Sequence, residues 1–295
     1  IQADLFGIES HGVSRIRKYI NLLERQVIRI NVKPEIEKET ALSAVVNAHS
    51  SMGQLAAVRA MELAIRKAKQ QGIGMVQLHG GNHYGIAGYY ALMAAKEDLI
   101  GVSMTNTVAI MVPTFGAKAM LGSNPIAFAM PTGNQPFLYD GATTVVTRGK
   151  LELYNKLDQP LKPGWAVDET GRESIQADRI LQNISGKRGG GILPVGGVGE
   201  EGAGYKGFGM GLLCEILTSV LGGGVFSSEK QDKGDTSQCF YAIDYGMFGD
   251  KQQIEKHLWN LTEEIRHAPK AEGQDQIFVA GDKEFAAEKA RRQDG

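Results

Sequence analysis

The sequence predicts an α/β fold of the α+β kind, and three observations carry that prediction. Helical spacing of apolar residues marks the two ends of the chain, over 13–25 and again over 251–266. Between them, IGMVQL, a glycine-rich loop, a helical stretch and LIGVSMT form a strand-loop-helix-strand unit. Short apolar runs cut by Gly and Pro turns follow from about 110 to 147.

Taken in order, the first segment gives a helix end, a turn at Ser10-His11-Gly12 and a helix from Val13 to Arg25. A strand is expected over 41–48. Ser50 or Ser51 is then expected to cap the helix GQLAAVRAMELAIRKAKQQ, which Gly72 ends. After IGMVQL comes the loop HGGNHYG, a helix over 86–96, and short strands in VPTFG, NPIAFAMP and PFLYDGATTVV. Segment 158–191 is polar and turn-rich, reading as surface loop with a short helix. GILPV leads as a strand through a glycine turn into the helix GMGLLCEILTSVL, and a flexible connector spans 222–236. The strand SQCFYAIDY, the amphipathic helix 251–266, and DQIFVAGDKEFAAEKARR as strand, turn and helix complete the chain.

Composition narrows the function classes. Lys and Arg number 32 against 33 Asp and Glu, a net charge of −1, so no global field favours nucleic acid or an anionic membrane. No apolar run approaches the ~18 residues of a membrane span. The two cysteines, Cys214 and Cys239, sit in apolar contexts without Cys-x-x-Cys spacing, which fits buried thiols in a reducing cytoplasm.

The stretch GGVGEEGAGYKGFGMG contains G-x-G-x-x-G twice, at Gly197–Gly202 and Gly202–Gly207. With 38 glycines in 295 residues the pattern is weak by itself. A dinucleotide cradle also needs a strand about 20 residues on, ending in an acid that holds the ribose. Here that region reads VFSSEKQDKG, and Glu200 and Glu201 would repel a pyrophosphate. The second match opens a helix, so Lys206 and the helix start make an anion site. The alternative is a tight turn with Lys206 as a solvated charge.

His11, Arg15 and Tyr19 stand at i, i+4 and i+8, which on one helix face would present an imidazole, a guanidinium and a phenol together. That set suits an oxyacid: Arg15 can grip a carboxylate, and an ordinary imidazole with a pKa of about 6.5 exchanges protons near neutral pH. A capping turn with an exposed arginine accounts for the same spacing. His79 and His83 have the i, i+4 spacing of a helical metal pair, which keeps a metal-dependent lyase or hydrolase as an alternative. The intervening Gly80-Gly81-Asn82 disfavours that helix, and a single catalytic or structural loop histidine is the other reading. A non-catalytic anion-binding protein using Tyr205-Lys206 is a third class. The loops Gly122-Ser123-Asn124-Pro125 and Asp140-Gly141-Ala142-Thr143-Thr144 carry small and hydroxyl residues at strand ends, where a ligand can approach backbone.

In order, ADLFGIESHGVSRIRKY, GIGMV with HGGNHYG, MTNT, GSNPIAFAMP, DGATTVV, GWAVDETG, and ILPVGG with GYKGFGMGLLCEIL resemble the malate/L-lactate dehydrogenase family, which also holds sulfolactate and ureidoglycolate dehydrogenases and diketogulonate reductase. The resemblance implies hydride transfer between NAD or NADP and a small 2-hydroxy or 2-oxo acid, with no metal. It implies a homodimer with a mixed-sheet cofactor domain of non-Rossmann type, over 73–250, and a helical substrate-side and dimer domain from both chain ends, 1–72 and 251–295. His11 and His83 match the positions given the proton-transfer role, and Arg15 and Tyr19 match substrate-side positions. Asn106, Thr107, Asn124, Asp140, Gly141, Ala142, Thr143, Thr144 and Lys206 match cofactor-contacting positions, as does the turn Gly281-Asp282-Lys283. Ala280 stands where that turn usually has proline. The family's leading N-terminal helix has no counterpart here, so a segment upstream of Ile1 is expected.

Overall fold

The computed structural model describes residues 1–231 and 234–294. α1 (Gln2–Leu5) and two 3-10 turns, Glu9–His11 and Val13–Arg15, precede α2 (Ile16–Glu24), in place of the single helix expected from Val13. The break has a local cause. The Asp4 carboxylate accepts the Val13 N–H at 3.1 and 3.2 Å, and it fills the space where a Cβ on Gly12 would sit, so the chain folds back over α1 before α2 begins.

The central sheet is built from β1 (Glu35–Glu39), β2 (Ser43–Asn47), β3 (Ile73–Gly81), β4 (Ile100–Thr105), β5 (Ile126–Met130), β6 (Phe137–Gly141) and a late strand, Thr236–Ile243. α3 (Gly53–Gln71) separates β2 from β3, and α4 (Gly88–Ala95) separates β3 from β4. Beyond β6 come α5 (Arg148–Lys156), β7 (Ala166–Val167), α6 (Ala177–Gly186), β8 (Gly191–Ile192), α7 (Gly204–Glu215) and a π-helical turn, Ile216–Val220. The late strand is β9; α8 (Lys251–His267) and α9 (Asp282–Asp294) close the chain. The sheet order is β1-β2-β3-β9-β4-β5-β6, with β2 and β3 parallel and the other pairs antiparallel, so the expected mixed sheet is present.

It crosses the 72/73 boundary expected between two units, since β1 and β2 supply two of its strands and α3 lies on β3 and β9. The alanine-rich face of α3 (Ala56, Ala57, Ala60, Ala64, Ala68, with Met61) packs into the main core beside Val76, Leu78 and Phe240. Small residues bring helix and sheet close: a Cβ on Gly74 would stand 2.0 Å from the Ala64 carbonyl oxygen, and one on Gly101 2.1 Å from that of Ala91. A second core, around Leu151, Ile180, Ile184 and Ile192, holds α5 and α6, so much of the segment read as surface loop is packed structure.

Other differences are local. α3 starts from Met52 without a side-chain cap, and neither Ser50 nor Ser51 supplies one, while Gly72 ends it at φ 84° as expected. β3 runs through His79 to Gly81 with a register shift after Leu78, so the loop begins only at Asn82. VPTFG and DQIFVA form no strand. Within 222–236, of which 232 and 233 lie outside the described residues, Ser227 and Lys230 are buried, so this part of the connector is packed. Among the described residues no helix is long and apolar enough to cross a membrane.

The register places the carboxyl ends of β2, β3, β4 and β6 with the amino ends of β1, β5 and β9 along one edge of the sheet. Loops from 47 to 52, 82 to 87, 106 to 125 and 142 to 147 leave from that edge.

Candidate active site

At this edge the loop after β3 meets the N-terminal turns. Asn82 holds it in place: its Nδ2 donates to the Ser50 and Ser51 carbonyls at 2.9 and 3.0 Å, and its own carbonyl accepts Gln238 Nε2 at 3.0 Å. His83 therefore projects from a fixed backbone. Its ring stacks on His11, with centroids 5.4 Å apart and planes 26° apart, and its Nδ1 lies 2.7 Å from the Tyr19 hydroxyl. His11 Nδ1 is paired with Ser10 Oγ at 2.9 Å, and Arg15 Nε donates to the Ser10 carbonyl at 2.5 Å. The trio His11, Arg15 and Tyr19 thus does not share one helix face, because Gly12 divides it. Tertiary folding gathers it around His83 instead.

Both histidines depart from the ordinary imidazole value expected from sequence. Burial, followed by the charges of Arg15 and Lys18, lowers His11 to about 4. Burial, then His11, Lys18 and Arg15, lowers His83 to about 3. At neutral pH both imidazoles are therefore unprotonated, and the burial that keeps them so also makes them weaker bases in the free protein. Burial also raises the Tyr19 phenol. The metal alternative loses its geometry: His79 lies on β3 with its Nε2 on Glu37 at 2.8 Å, while His83 faces Tyr19. Among the described residues no group of three His, Cys, Asp or Glu side chains converges as a metal site.

Apart from the turn Gly281-Asp282-Lys283, the residues matched to cofactor contacts gather at the same edge, in two kinds of environment. Asn106 and Asn124 are fully buried and their amides are spent on protein. Thr107 is half-buried, its N–H donating to Asn124 Oδ1 at 3.1 Å. Asp140, at the end of β6, accepts the Gly88 N–H at 2.6 Å, and burial pushes its carboxyl up to about 6. Gly141 and Ala142 continue the strand end; the Thr143 N–H and hydroxyl donate to the Ser123 carbonyl at 2.9 and 3.0 Å. The Thr144 hydroxyl is buried with no partner among the described residues. α7 lies over these loops, since a Cβ on Gly211 would be 3.1 Å from Thr143 Oγ1.

Lys206 is exposed in the first turn of α7, its Nζ 5.8 Å from the Tyr205 ring centre. The glycines on either side of it serve close packing: a Cβ on Gly204 would stand 2.1 Å from the Gly197 carbonyl, and one on Gly207 2.3 Å from that of Val195. The turn Gly281-Asp282-Lys283 lies against Leu138, the second residue of β6, towards the end of the sheet opposite the site edge. Asp282 there receives Arg266 Nη2 at 2.7 Å and Nε at 3.1 Å, plus the Val279 N–H at 2.8 Å, so it anchors α9 to α8. Lys283 Nζ sits 4.6 Å from the Phe278 ring centre. One residue absent from the sequence reading is prominent here: Glu215, the last residue of α7, is a buried carboxylate in an apolar run, GLLCEIL. An isolated acid in such a run was the signal available.

A family model described as malate/L-lactate dehydrogenase matches residues 1–295. Malate dehydrogenase of Pyrococcus horikoshii is 38% identical over 295 residues, covering 99% of this chain and 80% of its own length. L-sulfolactate dehydrogenase of Methanocaldococcus jannaschii is 36% identical over 304 residues, covering 100% of this chain and 83% of the relative. The crystal structure of malate dehydrogenase from Entamoeba histolytica superposes with a TM-score of 0.95 at 32% identity, over 100% of this chain and 83% of that one.

Proposed function

The chain belongs to the malate/L-lactate dehydrogenase family, a hydroxy-acid oxidoreductase working with a nicotinamide cofactor, and from that premise we propose the roles its residues play. The residues at the sheet edge fit such a cofactor: the Thr144 hydroxyl is buried without a partner among the described residues, and Lys206 brings an exposed ammonium to a helix start. When bound, the nicotinamide supplies or takes the hydride exchanged with C2 of the acid. NAD and NADP both satisfy this reading, and kcat/KM measured with each ranks them.

The stacked histidine pair carries the proposal. His83 is the proton carrier, because the Tyr19 hydroxyl at 2.7 Å orients its ring as a base needs, whereas the Nδ1 partner of His11 is the adjacent Ser10. In oxidation the neutral imidazole of His83 takes the hydroxyl proton, and in reduction that proton returns to the substrate oxygen. Arg15 and Lys18 place positive charge beside both rings and draw in the acid's carboxylate. Two cations favour a dianionic acid of the malate type over lactate, and relatives named for malate and sulfolactate support that preference. Thr107, Asp140 to Thr144 and Lys206 serve the cofactor side; Asn106, Asn124 and Asp282 serve by holding backbone. The outer face of α7, where Tyr205, Met210, Leu212, Leu213, Ile216 and, beyond, Val220 stand exposed, supplies the contact of a homodimer.

The test compares His83→Asn with His11→Asn. With malate and oxaloacetate, His83→Asn is expected to lose about a hundredfold or more in kcat while the cofactor KM holds, and His11→Asn to lose less. The reverse order would move the proton to His11.

A further inference from the structure

Glu215 receives five hydrogen bonds and makes none to a cation among them. Oε1 accepts Asn106 Nδ2 at 3.0 Å, Ser219 Oγ at 3.1 Å and the Ser227 N–H at 2.8 Å. Oε2 accepts Asn124 Nδ2 at 2.8 Å and Ser227 Oγ at 2.6 Å. The partners come from the loop after β4, the loop before β5, the π-turn and the connector before β9. A carboxylate, having only acceptors, meets all five, whereas an amide would turn N–H groups against donors.

The two asparagines pass that grip onward. Asn106 Oδ1 receives the Ser237 N–H at 2.9 Å and its Nδ2 also donates to the Val225 carbonyl at 2.9 Å. Asn124, at φ 34°, receives the Thr107 N–H at 3.1 Å and donates to the Gly211 carbonyl at 3.1 Å. Every polar side-chain atom of both residues is therefore engaged within the protein. The π-turn that follows Glu215 belongs to the same construction, for Ser219 Oγ donates to the Glu215 carbonyl at 2.9 Å as well as to its side chain, and Thr218 Oγ1 donates to the Cys214 carbonyl at 2.7 Å. Such widened turns free carbonyls that nearby hydroxyls then satisfy.

We propose that Glu215 is a positioning residue for cofactor binding, acting through Asn106 and Asn124 to fix the backbone of residues 105–107 and 123–124 and to seat the start of β9 against them. This rests on the reading that the edge carrying Thr107, Thr143 and Lys206 is the cofactor side. It assigns Asn106 and Asn124 to the scaffold, one residue removed from the ligand, and leaves the Thr144 hydroxyl as the group without a partner among the described residues, while the Thr107 hydroxyl accepts the Ser123 N–H at 2.9 Å.

The test uses Glu215→Gln, which preserves shape, and the charge swap Glu215→Gln with Asn124→Asp, in which the relocated carboxylate can accept both the amide introduced at position 215 and the Thr107 N–H. Titration with reduced nicotinamide cofactor in the absence of acid is expected to give a dissociation constant about tenfold or more weaker for Glu215→Gln. The KM for the acid stays unchanged, and the double variant recovers part of the loss, since Asn124→Asp gives up the donor to the Gly211 carbonyl. In the free protein, hydrogen exchange at the Ser227 and Thr107 amides is expected to quicken in the single variant and slow again in the double. Unchanged exchange, faster exchange without weaker cofactor binding, or a double variant no better than the single one would each overturn the proposal. Lys206→Ala and Thr107→Val report separately on the cofactor side: if neither weakens binding, that reading falls, while exchange still reports whether Glu215 holds the loops.

Discussion

At the residue scale the chemistry turns on how the protein treats two imidazoles. Burial first, and then the charges of Arg15 and Lys18, make both favour the neutral form, at about 4 for His11 and about 3 for His83, where His11 adds to the effect. Their native pKa values lie below the unfolded value, so the stability they contribute is present above pH of about 6.5 and lost as pH falls through those native values. Catalysis follows the same sign. The acid limb of kcat/KM for oxidation is expected below pH 5 rather than near the ordinary imidazole value of about 6.5, because the free enzyme keeps its base unprotonated. A bound dianion offsets the neighbouring positive charge, so the limb of kcat is expected at higher pH than that of kcat/KM. Steady-state profiles from pH 4 to 8 check both, and a kcat/KM limb near the ordinary value would show that the pair is not held neutral. His11, Arg15, Tyr19 and His83 were all visible in the sequence as candidates. Their pKa values were not, since burial and neighbouring charge exist only after folding.

At the element scale, periodicity read well where a segment had one buried face and poorly elsewhere. α3 and α8 stand where apolar spacing put them. β1 escaped notice because its sequence, EIEKE, has no apolar face to read; it is an exposed edge strand with three glutamates on alternate positions. Glu35 meets His49 at 2.9 Å, Glu37 meets His79 at 2.8 Å and Glu39 meets the buried Lys67 at 2.8 Å. Charge pairing with the elements beneath keeps this edge on the sheet and also blunts it against further strand addition. α5 escaped because it is short and buries Leu151 alone, on a core supplied by α6 and β8. The close seating of α3 gives a prediction at this scale. Gly74→Ala inserts a methyl against the Ala64 carbonyl and is expected to destabilise the fold by about 1–3 kcal/mol, seen as a lower urea midpoint. An unchanged midpoint would show that helix and sheet can part at no cost.

At the scale of the whole molecule, the sheet order brings residues from four distant stretches to one edge. Parallel pairing of β2 with β3, and insertion of the late strand β9 between β3 and β4, put the loop of His83 and the loop of Thr107 on the same end. α7 then crosses that end with its glycine-lined side inward and an apolar side outward, where Leu213 is 58% exposed, and the π-turn continues that side to Val220, 52% exposed. A face of this kind is expected to be covered by a second copy. The homodimer proposed above predicts a dimer for the wild type and a monomer for Leu213→Asp in sedimentation velocity. A wild-type protein that is itself monomeric at micromolar concentration would exclude the interface.

The sequence by itself determined the family and the reaction class and supplied the candidates for the site, because short motifs such as SHGVSR, HGGNHYG and GYKG keep their order along the chain whatever their distance in space. It also spoke against a dinucleotide cradle at the doubled G-x-G-x-x-G, from the missing strand and acid beyond it, while leaving the helix start at Lys206 as a candidate anion site. Only the tertiary structure decided which of those residues meet. It broke the helix between His11 and Tyr19 at Gly12, stacked His11 on His83, turned Asp282 toward Arg266, and spent Asn106 and Asn124 on Glu215. The reason is physical: a motif fixes what a side chain can do, while burial, charge and hydrogen-bond partners, which decide what it does, are supplied by segments far away in the chain.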